Sequence, residues 1–502
     1  MSLRIDLKPK ASWSNAFNIY LNRRVLAMLF LGFSAGLPLF LIFSTLSLWL
    51  REAGVDRSAV TYFSWAALAY SFKFIWAPVI DKLPLPFLHQ LLGRRRSWLL
   101  VAQLSVILAI VWMAMVNPAH GLGGMVIAVI LLGFSSASQD IVIDAYRIEA
   151  VKKEFQAAMS AMYIAGYRMG MLVSGAGGLY LASYFGSGEI YNYSAWKLTY
   201  LIMAIVMLVG VITTLLIEEP EINSKVEVYL HDLSDYVRFF IMFIVMVVAF
   251  IYGFQLFNFE LSNNFINESI RLLLSLMFSL AGIYLLIILN VVNREMVYTT
   301  YIDPVVDFFQ LYGKAAILLL LLVALYRISD IVLGVIANVF YHDLGFSKNE
   351  IATTTKVFGI IMTLVGGFLG GLMTMRYGVM RILLLGAILS SATNLLFMWL
   401  AHAGNDIVLL SGVIAADNLS GGLASAAFIA YLSSLTNISF TAVQYAILSS
   451  LMTLFPKLLG GYSGGMVNEL GYSNFFLMTT VMGLPVIVLI YYLMHKNIDV
   501  IK

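Results

Sequence analysis

Asp140 and Asp144 lie in the run S-Q-D-I-V-I-D-A-Y-R-I-E from Ser138 to Glu149, just after the apolar stretch Val126 to Phe134. A carboxylate at bilayer depth costs a few kcal/mol or more, so it faces a bundle interior or a wet cavity and marks an ion, proton or substrate route. On a helix, a separation of four residues puts both side chains on one face, with Cβ atoms about 5–6 Å apart. Two carboxylates this close in a low-dielectric site resist double ionisation and hold a shared proton. The pair is expected to carry protons. Asp144, nearer the end of the span, is also placed to anchor Arg147.

Other charges fall among apolar residues: Lys73, Arg168, Arg327 with Asp330, Lys356, Asp417 and Lys457. Their signs nearly balance. Solute binding therefore competes with structural pairing and with snorkelling to an interface, and Arg327 and Asp330, spaced i,i+3, are placed to neutralise each other. A basic loop, Asp81 and Lys82 followed by Arg94, Arg95 and Arg96, reads both as an orientation signal and as a latch between helix ends that forms in one conformational state. The chain has no cysteine, which excludes thiol chemistry. Its six histidines show no metal-ligand spacing. No G-x-x-x-x-G-K-[ST] occurs, so transport, if any, is secondary rather than ATP-driven.

The elements that must hold these residues are membrane helices. Of the 502 residues, 61% are hydrophobic and 11% charged, and the mean hydropathy is +0.90. Soluble domains carry about 45–50% apolar and about 25% charged residues. Apolar runs of about 20 residues recur along the chain, long enough to cross hydrocarbon as helices, and strand-like alternation does not. About fourteen spans are predicted, starting near Val25, Val60, Ser97, Leu122, Ala158, Ala195, Val237, Ile270, Lys314, Ile351, Val379, Asp406, Thr441 and Tyr472. Lys and Arg concentrate on the side of the termini, which places both termini in the cytoplasm. A net charge of +3 gives no reason to expect nucleic acid.

The loop L-R-E-A-G-V-D-R-S-A-V from Leu50 aligns with Y-H-D-L-G-F-S-K-N-E-I from Tyr341, matching Gly54 to Gly345, and the Gly93–Arg96 loop aligns with Gly378 and Arg381. Spans one to six thus repeat as nine to fourteen, with seven and eight inserted. The expected organisation is a six-helix bundle over 1–217, linkers and two inserted helices over 218–313, and a second bundle over 314–502. Repeated halves around a central path are a transporter architecture with its site near midplane. Glycine-rich stretches Gly166–Gly178, Gly366–Gly371 and Gly460–Gly465 are expected to pack helices closely. Pro38, Pro456 and Pro485 should kink their spans. Trp65, Trp76 and Tyr163 are candidates to line a sugar path.

Specific strings narrow the reading: G-F-S-A-G-L-P from Gly32, L-S-L-W-L-R-E-A-G-V-D from Leu46, Y-S-F-K-F-I-W-A-P-V-I-D ending at Asp81, G-R-R-R-S-W-L-L from Gly93, S-Q-D-I-V-I-D-A-Y, G-Y-R-M-G-M-L-V-S-G from Gly166 and D-N-L-S-G-G from Asp417. With these the chain resembles the AmpG-type muropeptide permeases of the major facilitator superfamily. The resemblance implies a proton-driven inner-membrane importer of N-acetylglucosaminyl-1,6-anhydro-N-acetylmuramic acid and its peptide derivatives. Such an importer serves peptidoglycan recycling and, in some bacteria, β-lactamase induction. Lys73, Gln139, Asp140, Asp144, Arg168, Lys356 and Asp417 fall at family motif positions, with Asp417 where Glu is common and Arg327 where Lys is common. The expected partners are the anhydromuropeptide, protons and membrane lipid, without metal or cofactor, for a monomer. The rivals are a same-fold carrier of another anionic solute, such as a short peptide or acetyl-coenzyme A, and a membrane-embedded sugar or acyl transferase.

Overall fold

In hydrocarbon a backbone N–H or C=O finds its partner only within its own helix or a closed barrel. The computed structural model, which describes residues 19–55, 63, 68–187, 191–220, 233–257, 264–292, 294–460 and 462–496, answers with helices. The first half comprises α1 (Arg23–Glu52), α2 (broken into Leu68–Phe72, Lys73–Ile75 and Ala77–Lys82), α3 (Arg94–Met115), α4 (Gly123–Glu149), α5 (Gln156–Leu172, continuing through a π-helical Val173–Gly177 into Gly178–Tyr184) and α6 (Tyr193–Leu216). The inserted pair is α7 (Leu233–Leu256) and α8 (Asn264–Ile288). The second half comprises α9 (Ala315–Asp343), α10 (π-helical Ala352–Phe358 and then Gly359–Tyr377), α11 (Val379–Ala403), α12 (Ile407–Leu435), α13 (Thr441–Gly460) and α14 (Ser463–His495). Among the described residues, ten helices are long and apolar enough to cross a membrane by length and composition.

The predicted repeat has a local physical signature. Gly54 and Gly345 close α1 and α9 with φ of +84° and +86°, a left-handed conformation that glycine adopts without a Cβ penalty. Both ends carry the same pair of bonds: Gly54 N–H to Arg51 O and Val55 N–H to Leu50 O, Gly345 N–H to His342 O and Phe346 N–H to Tyr341 O. Gly93 and Gly378, which open α3 and α11, match again at +84° and +88°.

Small residues set the packing. A Cβ on Gly166 would lie 1.9 Å from Leu29 O and one on Gly36 2.0 Å from Tyr167 O, so α1 and α5 touch backbone to backbone. Gly366 does the same for α10 against Leu419 of α12, at 2.0 Å. The expectation fails at Gly464 and Gly465, which have open space where a Cβ would stand. They belong to a short lead into α14 that bends at Gly471, φ +73°. The spanning part of α14 therefore follows Gly471, near the predicted Tyr472, although the helix starts at Ser463.

The loop 83–92 folds into a helical turn, Leu88–Leu92. A surface run not anticipated from sequence, Arg294–Val297 through Asp303–Tyr312, crosses beneath both halves. Tyr301 donates to Ile75 O of α2 at 3.3 Å, while Asp307 accepts from Asn437 and from Gln444 of α13 at 2.9–3.1 Å. Trp65 and residues 221–232, most of the acidic linker expected over about Glu218 to Asp235, lie outside the described residues.

The halves meet on the side of the chain termini. There one core joins Tyr20, Ile143 and Ala161 of the first half to Leu372, Ala426, Ala442 and Ala446 of the second. The seam is stitched by Tyr20 to Phe368 O (3.4 Å), Arg147 to Ser433 (2.7 Å) and Lys82 Nζ 4.9 Å from the Phe440 ring centre.

Candidate transport site

Above this seam a cavity of about 490 Å³ lies between the halves. Helix directions place Asp144 and Tyr445 at its floor near the seam, and Phe43, Thr453 and Lys457 towards the opposite face. Of the residues proposed from sequence, Lys73, Asp140, Asp144, Arg168 and Arg327 all line it. They come from α2, α4, α5 and α9, so no one helix could assemble them.

Lys73 sits in the break of α2, on the 3₁₀ turn Lys73–Ile75. It is 6% exposed, and its Nζ lies 3.3 Å from Asp144 Oδ2. The other oxygen of Asp144 faces Arg147 Nη2 at 3.4 Å, which bears out the anchoring of Arg147. Asp140, one turn back along α4, is 6% exposed, and its Oδ1 has no hydrogen-bond partner among the described residues. A buried acceptor without a partner is costly, and a proton or a water is the smallest group that answers it. Tyr70, Tyr163 and Tyr167 complete the wall around it.

Across the cavity Arg168 and Arg327 face the same space from opposite halves, and their positive charges repel. Arg327 donates to Ser425 at 3.1 Å and its Nε lies 3.8 Å from Asp330, which is itself hydrogen-bonded by Ser390. The neutralisation expected for Arg327 and Asp330 is thus a long pair that leaves the guanidinium in the cavity. Arg168 has only the Met171 sulfur, at 3.9 Å, and no carboxylate among the described residues. Two guanidinium groups with spare donors form a fork suited to carboxylates.

Other expected residues lie elsewhere. Gln139 points from α4 into the first half, donating to Ser34 of α1 at 3.4 Å, because on a helix the residue beside Asp140 is turned about 100° away. Asp417 accepts from Thr393 of α11 at 3.3 Å and does not line the cavity, being more than two turns farther from the seam than Ser425 on the same helix. Lys356 is on the π-helical start of α10, and its side chain lies outside what is described. Trp76 donates to Ser138 at 3.0 Å and packs away from the cavity, whereas Tyr163 does line it.

The basic loop forms a network within the first half. Buried Arg95 reaches Asp81 at 2.7 Å and Glu149 at 2.5 Å, Arg94 reaches Glu149 at 3.5 Å, and Arg96 donates to the carbonyls of Thr214 and Leu215. Lys82 reaches across to the other half, over the Phe440 ring. Sequence reasoning missed Glu149 and Glu219. Glu219 accepts the backbone N–H groups of Arg95 and Arg96 at 2.7 and 3.0 Å, a carboxylate cap at the positive end of α3. It also missed Tyr445 as a cavity residue, and Lys457, weighed in the sequence between solute binding and snorkelling, lines the cavity too.

The model of the Major Facilitator Superfamily matches residues 28–297. Transporter AmpG 4 of Rickettsia conorii is 32% identical over 478 residues, 95% of this chain and 98% of that protein. The chain belongs to the AmpG-type transporters of the major facilitator superfamily. The anhydromuropeptide permease of Escherichia coli (strain K12) is 29% identical over 95% of this chain and 81% of that protein. Among solved structures, FucP in the outward conformation aligns with TM-score 0.59 at 10% identity over 94% of this chain and 99% of that one. The proton:xylose symporter XylE aligns with TM-score 0.57 at 13% identity over 95% and 96%. Both share the fold. The AmpG-type chain is a multi-pass membrane transporter.

Proposed function

We propose that this transporter imports anhydromuropeptides, N-acetylglucosaminyl-1,6-anhydro-N-acetylmuramic acid with or without peptide, together with protons. In this reading it works in the inner membrane with both termini cytoplasmic, and its halves are 1–217 and 314–502 flanking the inserted 218–313. The solute class follows the name of the E. coli relative and fits a cavity whose free cations await carboxylates. The observation that carries proton coupling is Asp140, a buried carboxylate with an unpartnered oxygen on the wall of a cavity closed on the termini side.

A proton entering from the opposite face binds Asp140. Arg168 and Arg327 hold the lactyl or peptide carboxylates of the solute, and Lys73 supplies a third cation that can exchange between Asp144 and the solute. Lys356 of α10 is assigned to substrate binding as well, while Gln139 and Asp417 position the walls from behind. Asp81, Lys82 and Arg94, Arg95 and Arg96 latch the cytoplasmic ends. An inward proton gains about 2.3 kcal/mol per 100 mV, enough to bias uptake against a modest gradient.

The test is uptake of labelled disaccharide by proteoliposomes with and without an imposed pH difference. Asp140→Asn is expected to abolish gradient-driven accumulation while the protein stays folded and inserted. Accumulation equal to wild type removes Asp140 as the carrier. The recovered solute should be chemically unchanged, and excess short peptide or acetyl-coenzyme A should not compete.

A further inference from the structure

Arg147 lies one turn beyond Asp144 on α4, outside the cavity lining and with no exposed surface. Its guanidinium joins four helices. Nη2 faces Asp144 on α4; Nη1 donates to Ser160 of α5 at 3.0 Å and to Ser433 of α12 at 2.7 Å; Cζ stands 5.0 Å from the Tyr445 ring centre on α13. Ser433 and Tyr445 belong to the other half of the molecule. A buried guanidinium is tolerated only where a carboxylate compensates it, and the carboxylate here is shared. One oxygen of Asp144 serves Arg147 at the seam and the other serves Lys73 on the cavity wall. Among the described residues, Asp144 is therefore the carboxylate in contact with both the transport cavity and the bridge that holds the halves together.

We propose that Arg147 is the positioning residue that couples the cavity to the seam: it holds the termini side shut while Asp144 is ionised and lets it part when Asp144 is neutralised. The inference rests on the proton-coupled reading above and assigns the regulation of that site. The groups facing Asp144 are Lys73 from α2, Asp140 and Arg147 from α4, Tyr163 and Tyr167 from α5 and Tyr445 from α13. A proton passed from Asp140 to Asp144 leaves the Arg147 guanidinium buried without a counter-charge. The state that relieves it is one in which water reaches the seam and the Ser433 bond is given up. Low pH in the cavity thus favours opening on the opposite side, the order of events a symporter needs.

The absence of cysteine makes the test direct, because a single introduced thiol is the only one present. Ala442, 1% exposed in the shared core of the seam, is replaced by cysteine and its maleimide labelling rate is measured on the full-length protein in liposomes without solute. The parent should label faster at pH 5.5 than at pH 8, after correction for thiolate fraction with a free thiol. Asp144→Asn should label at the fast rate at both pH values. Arg147→Gln should abolish the pH response. Ser433→Ala, which leaves every charge in place, should raise the rate roughly tenfold to a hundredfold, the value of one hydrogen bond to a charged group. Parent-like labelling in Arg147→Gln and Ser433→Ala overturns the proposal. Because no solute is present, that outcome is distinct from failure of anhydromuropeptide uptake.

Discussion

At the scale of residues, the cavity sorts its charges by whether they already have partners. Lys73 and Asp144 satisfy each other at 3.3 Å, whereas among the described residues Arg168 has only a sulfur contact. Spare charge, rather than charge itself, identifies a group that can bind. Truncating Arg168 to Gln should cost a charge-assisted bond of about 1.5–3 kcal/mol, raising KM roughly tenfold to a hundredfold in initial-rate uptake with kcat little changed. Arg168→Lys keeps the charge but loses the planar fork and should fall between the two. An unchanged KM in both variants would move the carboxylate subsite elsewhere. The acid pair was legible in sequence because four-residue spacing on a helix is a local fact. That one oxygen of Asp144 would meet a lysine from α2 depended on a break in α2 that no local signal announced.

At the scale of elements, backbone contact between α1 and α5 does what side chains do elsewhere. Adding a side chain at Gly166, where a Cβ would sit 1.9 Å from Leu29 O, must push the helices apart. Gly166→Val should therefore lower thermal stability in detergent sharply, by about 2 kcal/mol or more. Gly464→Ala, at a position with open space, should be neutral or raise stability by up to about 1 kcal/mol. Equal melting temperatures for the two variants would contradict this packing. The two sites look alike as glycine-rich strings, and only the neighbour across the gap separates them. The outer end of α10 is set by a reciprocal cap that the chain spells out: Ser347 N–H and Oγ donate to Glu350, and Glu350 N–H donates back to Ser347 Oγ. These bonds hold the exposed Glu350 carboxyl below the usual carboxylate range.

At the scale of the whole molecule, the halves are sealed on one side and separated by a cavity towards the other. A thiol placed at Thr453, on the cavity wall of α13, should react with a membrane-impermeant maleimide added outside intact cells, while one at Ala442 should be protected. The reverse pattern would invert the proposed topology. The surface run 294–312 adds a strap under this seal, tied to the first half through Tyr301 and to the second through Asp307. The sequence reading treated that stretch as linker because its helical segments are short, and what orders them is contact with both halves.

The sequence by itself determined that the chain is a bundle of membrane helices built twice over, with two acids on one face of a span. Those features follow from hydrocarbon solvation and helical periodicity, which act between near neighbours. Only the tertiary structure decided which charges meet. Lys73 and Asp144 are 71 positions apart and Arg147 and Ser433 are 286 apart, and pairs so distant are chosen by how the helices pack, through glycine gaps and the break in α2. The same packing turned Gln139 and Asp417 out of the cavity and brought Lys457 and Tyr445 into it.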